Sequence, residues 1–291
     1  MGAHTVLSNF PTNAPVLSLK HFKRGFLFDS SSTHCFLRFA EFKSSTQAIQ
    51  IAHRTQVISA VSSKKVDVEN SDLKSRRKKL AVFVSGGGSN FKAIHAATRD
   101  GCAFGDVVVL VTNKTSCGGA AYARENGIPV IQFPKTKNDS EGLSTDGLVS
   151  ALRKYEVDFV LLAGYLKLIP VELVRNFPKR ILNIHPSLLP AFGGKGYYGL
   201  KVHKAVIASG ARYSGPTIHY VDEEYDTGKI LAQRVVSVCA FDTPEELAAR
   251  VLHEEHRLYV DVVEALCEDR VIWRDDGVPL IQSKEDPKHY S

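Results

Sequence analysis

Two runs with no polar alternation limit most strongly how this chain can fold. One is Leu80-Ala-Val-Phe-Val84, and the other is the Val-Val-Val-Leu-Val inside Asp106–Thr112. A strand that is apolar on both faces must be covered on both faces, which is what a parallel sheet flanked by helices provides. A helical pattern follows each run: Phe91 to about Thr98 after the first, and Gly118 to Asn126, stopped by Gly127, after the second. Pro129–Phe133 and Asp158–Ala163 read as further strands, with a helix over Thr145–Tyr155 between them. A short helix over Pro170–Asn176 then leads to a strand ending near His185. Strands alternating with helices predict βαβ units and a mostly parallel sheet.

The pattern changes further on. Gly199–Ser209 is helical, but Ser214–Val221 and Ile230–Val238 are β-rich runs separated by the charged loop Asp222–Lys229, which predicts an antiparallel addition. Thr243-Pro-Glu-Glu246 marks a helix start. Thr is the N-cap, Pro occupies the first turn and Glu closes a capping box, so the helix should run to about Cys267. Val271-Ile-Trp273 reads as a last short strand and Asp275–Ser291 as a polar tail. The body from residue 76 to 291 suits one domain, with no internal repeat.

The charge is unevenly placed. Residues Met1–Lys79 carry 13 Lys/Arg and 5 Asp/Glu, a net +8 against +6 for the whole chain, which leaves the remainder at −2. The basic character therefore belongs to the leader, and no nucleic-acid-binding face is indicated. Up to Lys65 the leader holds 10 Ser and 8 Lys/Arg but only two acids, Asp29 and Glu41. That is the composition of an organelle transit peptide, expected over residues 1–75 and addressed to import machinery; a disordered arm is the alternative. No apolar run reaches the ~18 residues of a membrane span. The five cysteines are widely spaced without a CxxC pair, so neither a disulfide framework nor a zinc site is indicated. His253 and His256 stand three apart, where the HExxH metal motif needs four.

Three groups of residues bear chemistry. Ser85-Gly-Gly-Gly-Ser-Asn90 joins a strand to a helix N-terminus, where converging N–H groups favour an anion. It lacks the Gly-Lys-Ser/Thr ending of a P-loop, and Thr112-Asn113-Lys114 stands where a dinucleotide site would place an acid. A monophosphate is the better fit; a tight turn that binds nothing is the other reading. In Ile181-Leu-Asn-Ile-His-Pro-Ser-Leu-Leu-Pro190, Asn183 and His185 project from one face of a strand. At the carboxyl end of a parallel strand they would face the ligand crevice as an oxyanion clamp. Spacing alone also fits a capped strand end with a satisfied histidine. Asp226 lies in the loop between the late runs. Near His185 it would favour the protonated imidazole and raise its pKa toward working pH; alone it is an ordinary turn residue.

These segments carry a resemblance. In order, Ser-Gly-Gly-Gly-Ser-Asn, Leu162-Ala-Gly-Tyr-Leu-Lys-Leu-Ile169, Asn183-Ile-His-Pro-Ser-Leu-Leu-Pro190 and Gly215-Pro-Thr-Ile-His-Tyr-Val-Asp-Glu-Glu-Tyr-Asp-Thr-Gly228 resemble the phosphoribosylglycinamide formyltransferase family, over Leu80 to Trp273. The Asn-x-His-Pro block with the later Asp-x-Gly loop is specific to folate-dependent formyltransferases, and the glycine loop narrows the likeness to the ribonucleotide enzymes. The resemblance implies the formyltransferase fold: a Rossmann-like α/β architecture with a mostly parallel twisted sheet, helices on both faces and an antiparallel C-terminal addition. It implies 10-formyltetrahydrofolate as cosubstrate, 5′-phosphoribosylglycinamide as acceptor and no metal.

Carried over position by position, it makes Asn183, His185 and Asp226 catalytic. Gly86, Gly87, Gly88, Ser89 and Asn90 would hold the substrate phosphate, and Glu255 the ribose hydroxyls. Leu166, Lys167, Leu168, Ile169, Asp222, Glu223, Glu224 and Tyr225 would line the pterin pocket with Asn183 and Asp226. Thr217 and His219 match polar residues near the catalytic trio. The loop Ala191–Tyr198 reads as a flexible wall of the cleft, or else as plain surface. A leader on a single-domain enzyme of this kind resembles plant forms, which implies a plastid address, with the mitochondrion as the alternative.

Overall fold

The run Lys78–Val84 becomes β1, an inner strand of a seven-stranded sheet. The computed structural model describes residues 76–135 and 142–291; the leader expected over residues 1–75 lies outside the described residues. On one side of β1 lie β2 (Gly105–Thr112) and then β3 (Val130–Gln132), both parallel to it. On the other lie β4 (Phe159–Leu162) and β5 (Ile181–His185), also parallel. The direction then reverses. After a two-residue strand β6 (Tyr213–Ser214), β7 (Thr217–Tyr220) pairs antiparallel with β5, and β8 (Ile230–Gln233) pairs antiparallel with β7. The order is β3-β2-β1-β4-β5-β7-β8, so β5 is the last parallel strand.

Helices cover both faces, and β1 shows why they must. Leu80, Val82 and Val84 point to one face and Ala81 and Phe83 to the other, all five fully buried. Each large side chain among them is worth about 1.5–3 kcal/mol removed from water. The helices among the described residues are α1 (Ser89–Arg99), α2 (Gly118–Glu125), α3 (Thr145–Lys154), α4 (Val171–Asn176), α5 (Leu200–Ser209) and α6 (Pro244–Cys267). Phe91 and Ile94 of α1, Ala120 of α2 and Tyr259 and Val262 of α6 meet the first face. Leu148 and Leu152 of α3 and Leu173 of α4 meet the second. The Tyr259 hydroxyl, inside the core, donates to the carbonyls of Leu162 at 3.2 Å and Leu182 at 3.4 Å. Helix α6 begins as expected: Thr243 Oγ1 accepts the Glu246 N–H and the Glu246 carboxylate accepts the Thr243 N–H.

Two expectations need correction. The runs Ser214–Val221 and Ile230–Val238 are each broken in two. Gly215, at φ 139°, is followed by Pro216, which cannot donate to a ladder. A side chain at Gly215 would meet the Arg234 carbonyl, so the backbones touch where the strands leave the main sheet. Beyond the break, β6 pairs with β9 (Val236–Ser237) in a separate ribbon. The second correction is the tail. Pro279–Ile281 forms β11, antiparallel to β10 (Val271–Trp273), and Trp273 packs on Tyr220 with ring centroids 4.8 Å apart.

Candidate active site

The reversal of direction after β5 places the catalytic candidates. Asn183 and His185 share a face of β5, and the antiparallel register sets His219 opposite Asn183 and Thr217 opposite His185. His219 Nδ1 lies 2.9 Å from the Tyr220 carbonyl, which can only accept, so that nitrogen carries the proton. His219 Nε2 is therefore the acceptor for Asn183 Nδ2 at 3.0 Å. The imidazole fixes which way the Asn183 amide points and leaves its second N–H for a ligand.

Asp226 reaches this point from the β7–β8 loop in a left-handed conformation, φ 59°. Its side chain is only 10% exposed, with Oδ2 3.4 Å from His185 Nδ1 and Oδ1 3.6 Å from His219 Nε2. The Gly194 N–H also donates to Oδ2, at 2.9 Å. The other ring nitrogen of His185, Nε2, donates to the Phe192 carbonyl at 2.8 Å. A proton arriving on His185 therefore enters at Nδ1, against the carboxylate.

Burial dominates the titration of this pair. It is the largest influence on His185 and holds the imidazole below its ordinary range, with His219 adding to the fall. The Asp226 charge and the Phe192 carbonyl pull it back up without prevailing. The expectation that Asp226 lifts His185 toward working pH is thus corrected: the upward pull exists, but desolvation of the cation exceeds it. Asp226 is pushed up by burial, yet the neighbouring His219 and His185 rings and the Gly194 N–H together outweigh that and set it below the usual carboxylate range. The unliganded site therefore holds a carboxylate beside a neutral imidazole at neutral pH.

The loop 191–199 closes over the pair. A side chain at Gly193 would lie 2.5 Å from Leu189 Cδ2 and 3.2 Å from Asp226 Cβ, so only glycine passes there. A cleft of about 370 Å³ opens alongside, lined by Leu189, Pro190, Gly193, Gly194, Tyr225, Asp226, Thr227, Gly228 and Ile230. Thr217 holds the turn beneath it. Its hydroxyl donates to the Ser187 carbonyl at 2.6 Å and accepts from Leu189 N at 3.0 Å and Gln233 Nε2 at 2.8 Å.

The glycine turn lies at the same carboxyl edge. Gly86 and Gly87 are exposed, and Gly88, at φ 69°, is the N-cap of α1. No side chain caps this helix and its first turn holds no acid, so its leading N–H groups remain for an anion. Ser89 is exposed and Asn90 buried. Asn90 Nδ2 donates to Glu255 Oε2 of α6 at 2.7 Å, while Asn90 Oδ1 is buried with no partner among the described residues. Burial pushes the Glu255 carboxyl up to about 7, against the downward pull of the Asn90 bond. Glu255 and Asn90 together thus offer acceptors for hydroxyl groups beside the anion cradle.

The expected pterin-lining residues divide. Leu166 and Leu168 are 58% and 48% exposed, large apolar side chains left uncovered, and Lys167 is exposed between them. Ile169 instead turns inward, 2% exposed, into the core around Phe83. Asp222 accepts from Thr227 Oγ1 at 2.8 Å and Glu224 N at 3.2 Å, which shapes the loop. Glu223 pairs with Arg175 at 3.0 Å; Glu224 and Tyr225 face solvent, the latter at the cleft. Of this loop Asp226 alone meets the histidines. Sequence reasoning did not single out Ser85, Asn113, Gln233 or the Phe192 carbonyl as site residues; the first two stand directly after strand runs that it did read. Among the described residues no group of three or more His, Cys, Asp or Glu could hold a metal.

An oriented amide and an imidazole at the edge of a parallel sheet, with an anion cradle two strands away, define the class: an α/β enzyme that passes an acyl group between two bound molecules. The formyl transferase family profile matches residues 78–263. A relative from Arabidopsis thaliana, "Phosphoribosylglycinamide formyltransferase, chloroplastic", is 61% identical over 97% of this chain and 96% of its own length. Its namesake from Vigna unguiculata is 75% identical over 74% of this chain and 69% of its own. Among solved structures, glycinamide ribonucleotide transformylase 1 from Symbiobacterium toebii superposes with a TM-score of 0.63 at 33% identity, covering 71% of this chain and 95% of that one. The chain belongs to the formyl transferase family, and within it to the phosphoribosylglycinamide formyltransferases.

Proposed function

We propose that this enzyme transfers the formyl group of 10-formyltetrahydrofolate to the amine of 5′-phosphoribosylglycinamide, a step of de novo purine biosynthesis leading to IMP. The observation that carries the reading is the convergence of Asn183, His185 and Asp226 on one point beside the cradle Gly86–Asn90. The amine attacks the formyl carbon, a C–N bond forms, and the carbonyl oxygen becomes an oxyanion. The free N–H of Asn183 and a protonated His185 stabilise that charge; donors of this kind are worth roughly 3–4 kcal/mol each. Burial keeps His185 neutral at rest. Developing negative charge draws a proton onto it, and Asp226 beside Nδ1 holds the cation in place. The amine gives up its proton, the bond to N10 breaks, and N10 takes a proton as tetrahydrofolate leaves.

The anion cradle suits the substrate phosphate, and Glu255 with Asn90 suits the ribose hydroxyls. Exposed Leu166 and Leu168 suit a flat pterin, as does Tyr225, which lines the cleft beside Asp226. The leader composition, together with the names of the plant relatives, supports import into the chloroplast, with residues 1–75 as the transit segment. The test is a spectrophotometric assay of formyl transfer by the full-length chain, with and without 5′-phosphoribosylglycinamide. Turnover should require the ribonucleotide, and His185→Ala should lower kcat by about 100-fold or more while the fold persists. Formate release without acceptor, or near-normal turnover by the variant, would overturn the reading.

A further inference from the structure

Ser85 is the residue between β1 and the glycine cradle, 4% exposed, and it takes no part in the chemistry above. Its N–H and its hydroxyl nonetheless both reach other loops at the carboxyl edge. Its N–H donates to the Gly164 carbonyl at 3.1 Å. Its hydroxyl donates to Asn113 Oδ1 at 2.6 Å and accepts the Leu166 N–H at 2.9 Å. The strand register explains the meeting. Val84 pairs with Thr112 and Phe83 with Leu162, so the next residues of β1, β2 and β4 emerge side by side.

We propose that Ser85 is a positioning residue that couples the two substrate subsites, so that binding of the ribonucleotide and of the folate reinforce each other. The inference rests on the subsite assignment given above: the cradle Gly86–Asn90 for the phosphate and the turn carrying Leu166 for the pterin. One hydroxyl uses its proton on Asn113 and a lone pair on Leu166, so neither neighbouring loop can shift without breaking a bond at Ser85. The residue is covalently the start of the cradle, so an anion held there would narrow the motion of Ser85. The bond it already makes to the Leu166 N–H would then be held more firmly, and with it the turn that presents Leu166 and Leu168 to the pterin. Coupling of this kind is reciprocal. Asn113 is the second member of the device: it fixes the rotation of the hydroxyl, and hence the direction of the lone pair that Leu166 uses.

Isothermal titration calorimetry on the full-length protein tests this, with 5′-phosphoribosylglycinamide titrated alone and in saturating tetrahydrofolate. The wild type should bind the ribonucleotide at least about fivefold more tightly with the folate present, within the ordinary range of coupling between sites. In Ser85→Ala that ratio should fall close to one. In the assay both KM values should rise, with kcat at double saturation changed less than about threefold. Asn113→Ala should lower the ratio in the same sense, and it carries the test if Ser85→Ala does not fold. Ser85→Thr, which keeps the hydroxyl, should restore the ratio. A merely structural role would lower the melting temperature and leave the ratio alone. A folded Ser85→Ala with the wild-type ratio overturns the inference, as does a wild type that binds both ligands independently. A wild type that binds neither ligand overturns the subsite assignment itself, and the inference with it.

Discussion

Glu255 and His185 are both buried, and the same loss of water moves them in opposite directions. Glu255 is pushed up to about 7, so the folded chain holds its proton far more tightly than the unfolded chain does. The stabilising linkage is complete at low pH and is lost as pH rises through about 7, where a desolvated carboxylate must ionise. Glu255→Gln removes that ionisation. It should stabilise the unliganded protein by about 1–2 kcal/mol at pH 8 and by little at pH 5, read from urea denaturation. The same variant should weaken the ribonucleotide several-fold, since an amide is a poorer partner for sugar hydroxyls. Equal stability of the two proteins at pH 8 would sink this account. At this scale the sequence was readable where spacing dictates direction: Asn183 and His185, two apart in a strand, do share a face. It was unreadable where the partner is main chain. Nothing in a side-chain alphabet marks the Phe192 carbonyl, and the pairing of His219 with Asn183 requires knowing the register of β5 and β7.

The elements repeat that lesson at larger size. Strands β1, β2 and β4 were legible because their apolar runs are continuous, and α6 because Thr243, Pro244 and Glu246 each satisfy a separate requirement of a helix start. The hydroxyl of Thr243 accepts the Glu246 N–H, so Thr243→Ala should cost about 1 kcal/mol of stability. A shift in the urea midpoint would show it, and Thr243→Ser should recover most of the loss. The ribbon of β6 and β9 was illegible for the opposite reason. Its two-residue strands carry no period, and the break at Gly215 is a close approach to the Arg234 carbonyl, a contact 19 residues away in sequence. Strand β11 was hidden in a polar stretch, where the apolar face of Pro279, Leu280 and Ile281 is too short to stand out.

At the scale of the whole fold, four histidines among the described residues sit below their ordinary range chiefly through desolvation: His95, His185, His203 and His256. The unfolded chain takes protons on all four near pH 6.5, and the folded chain does so only at lower pH. Stability therefore declines as pH falls through and below about 6.5, and the low-lying Asp226 extends the decline at more acid pH. The melting temperature should drop by several degrees between pH 7 and pH 5. A flat profile over that interval would show that these imidazoles do not act together.

The arrangement of the loop 191–199 has a further consequence, for affinity. The Phe192 carbonyl oxygen lies 2.8 Å from His185 Nε2 and occupies that ring nitrogen in the unliganded site. If the proposed mechanism brings the formyl oxygen to the same nitrogen, the enzyme carries its own tethered competitor. Binding there would proceed by exchange, one carbonyl for another, and its apparent affinity would be what remains after that displacement. A ligand that matches the donor but leaves this oxygen seated would be held by the cleft yet never commit the imidazole.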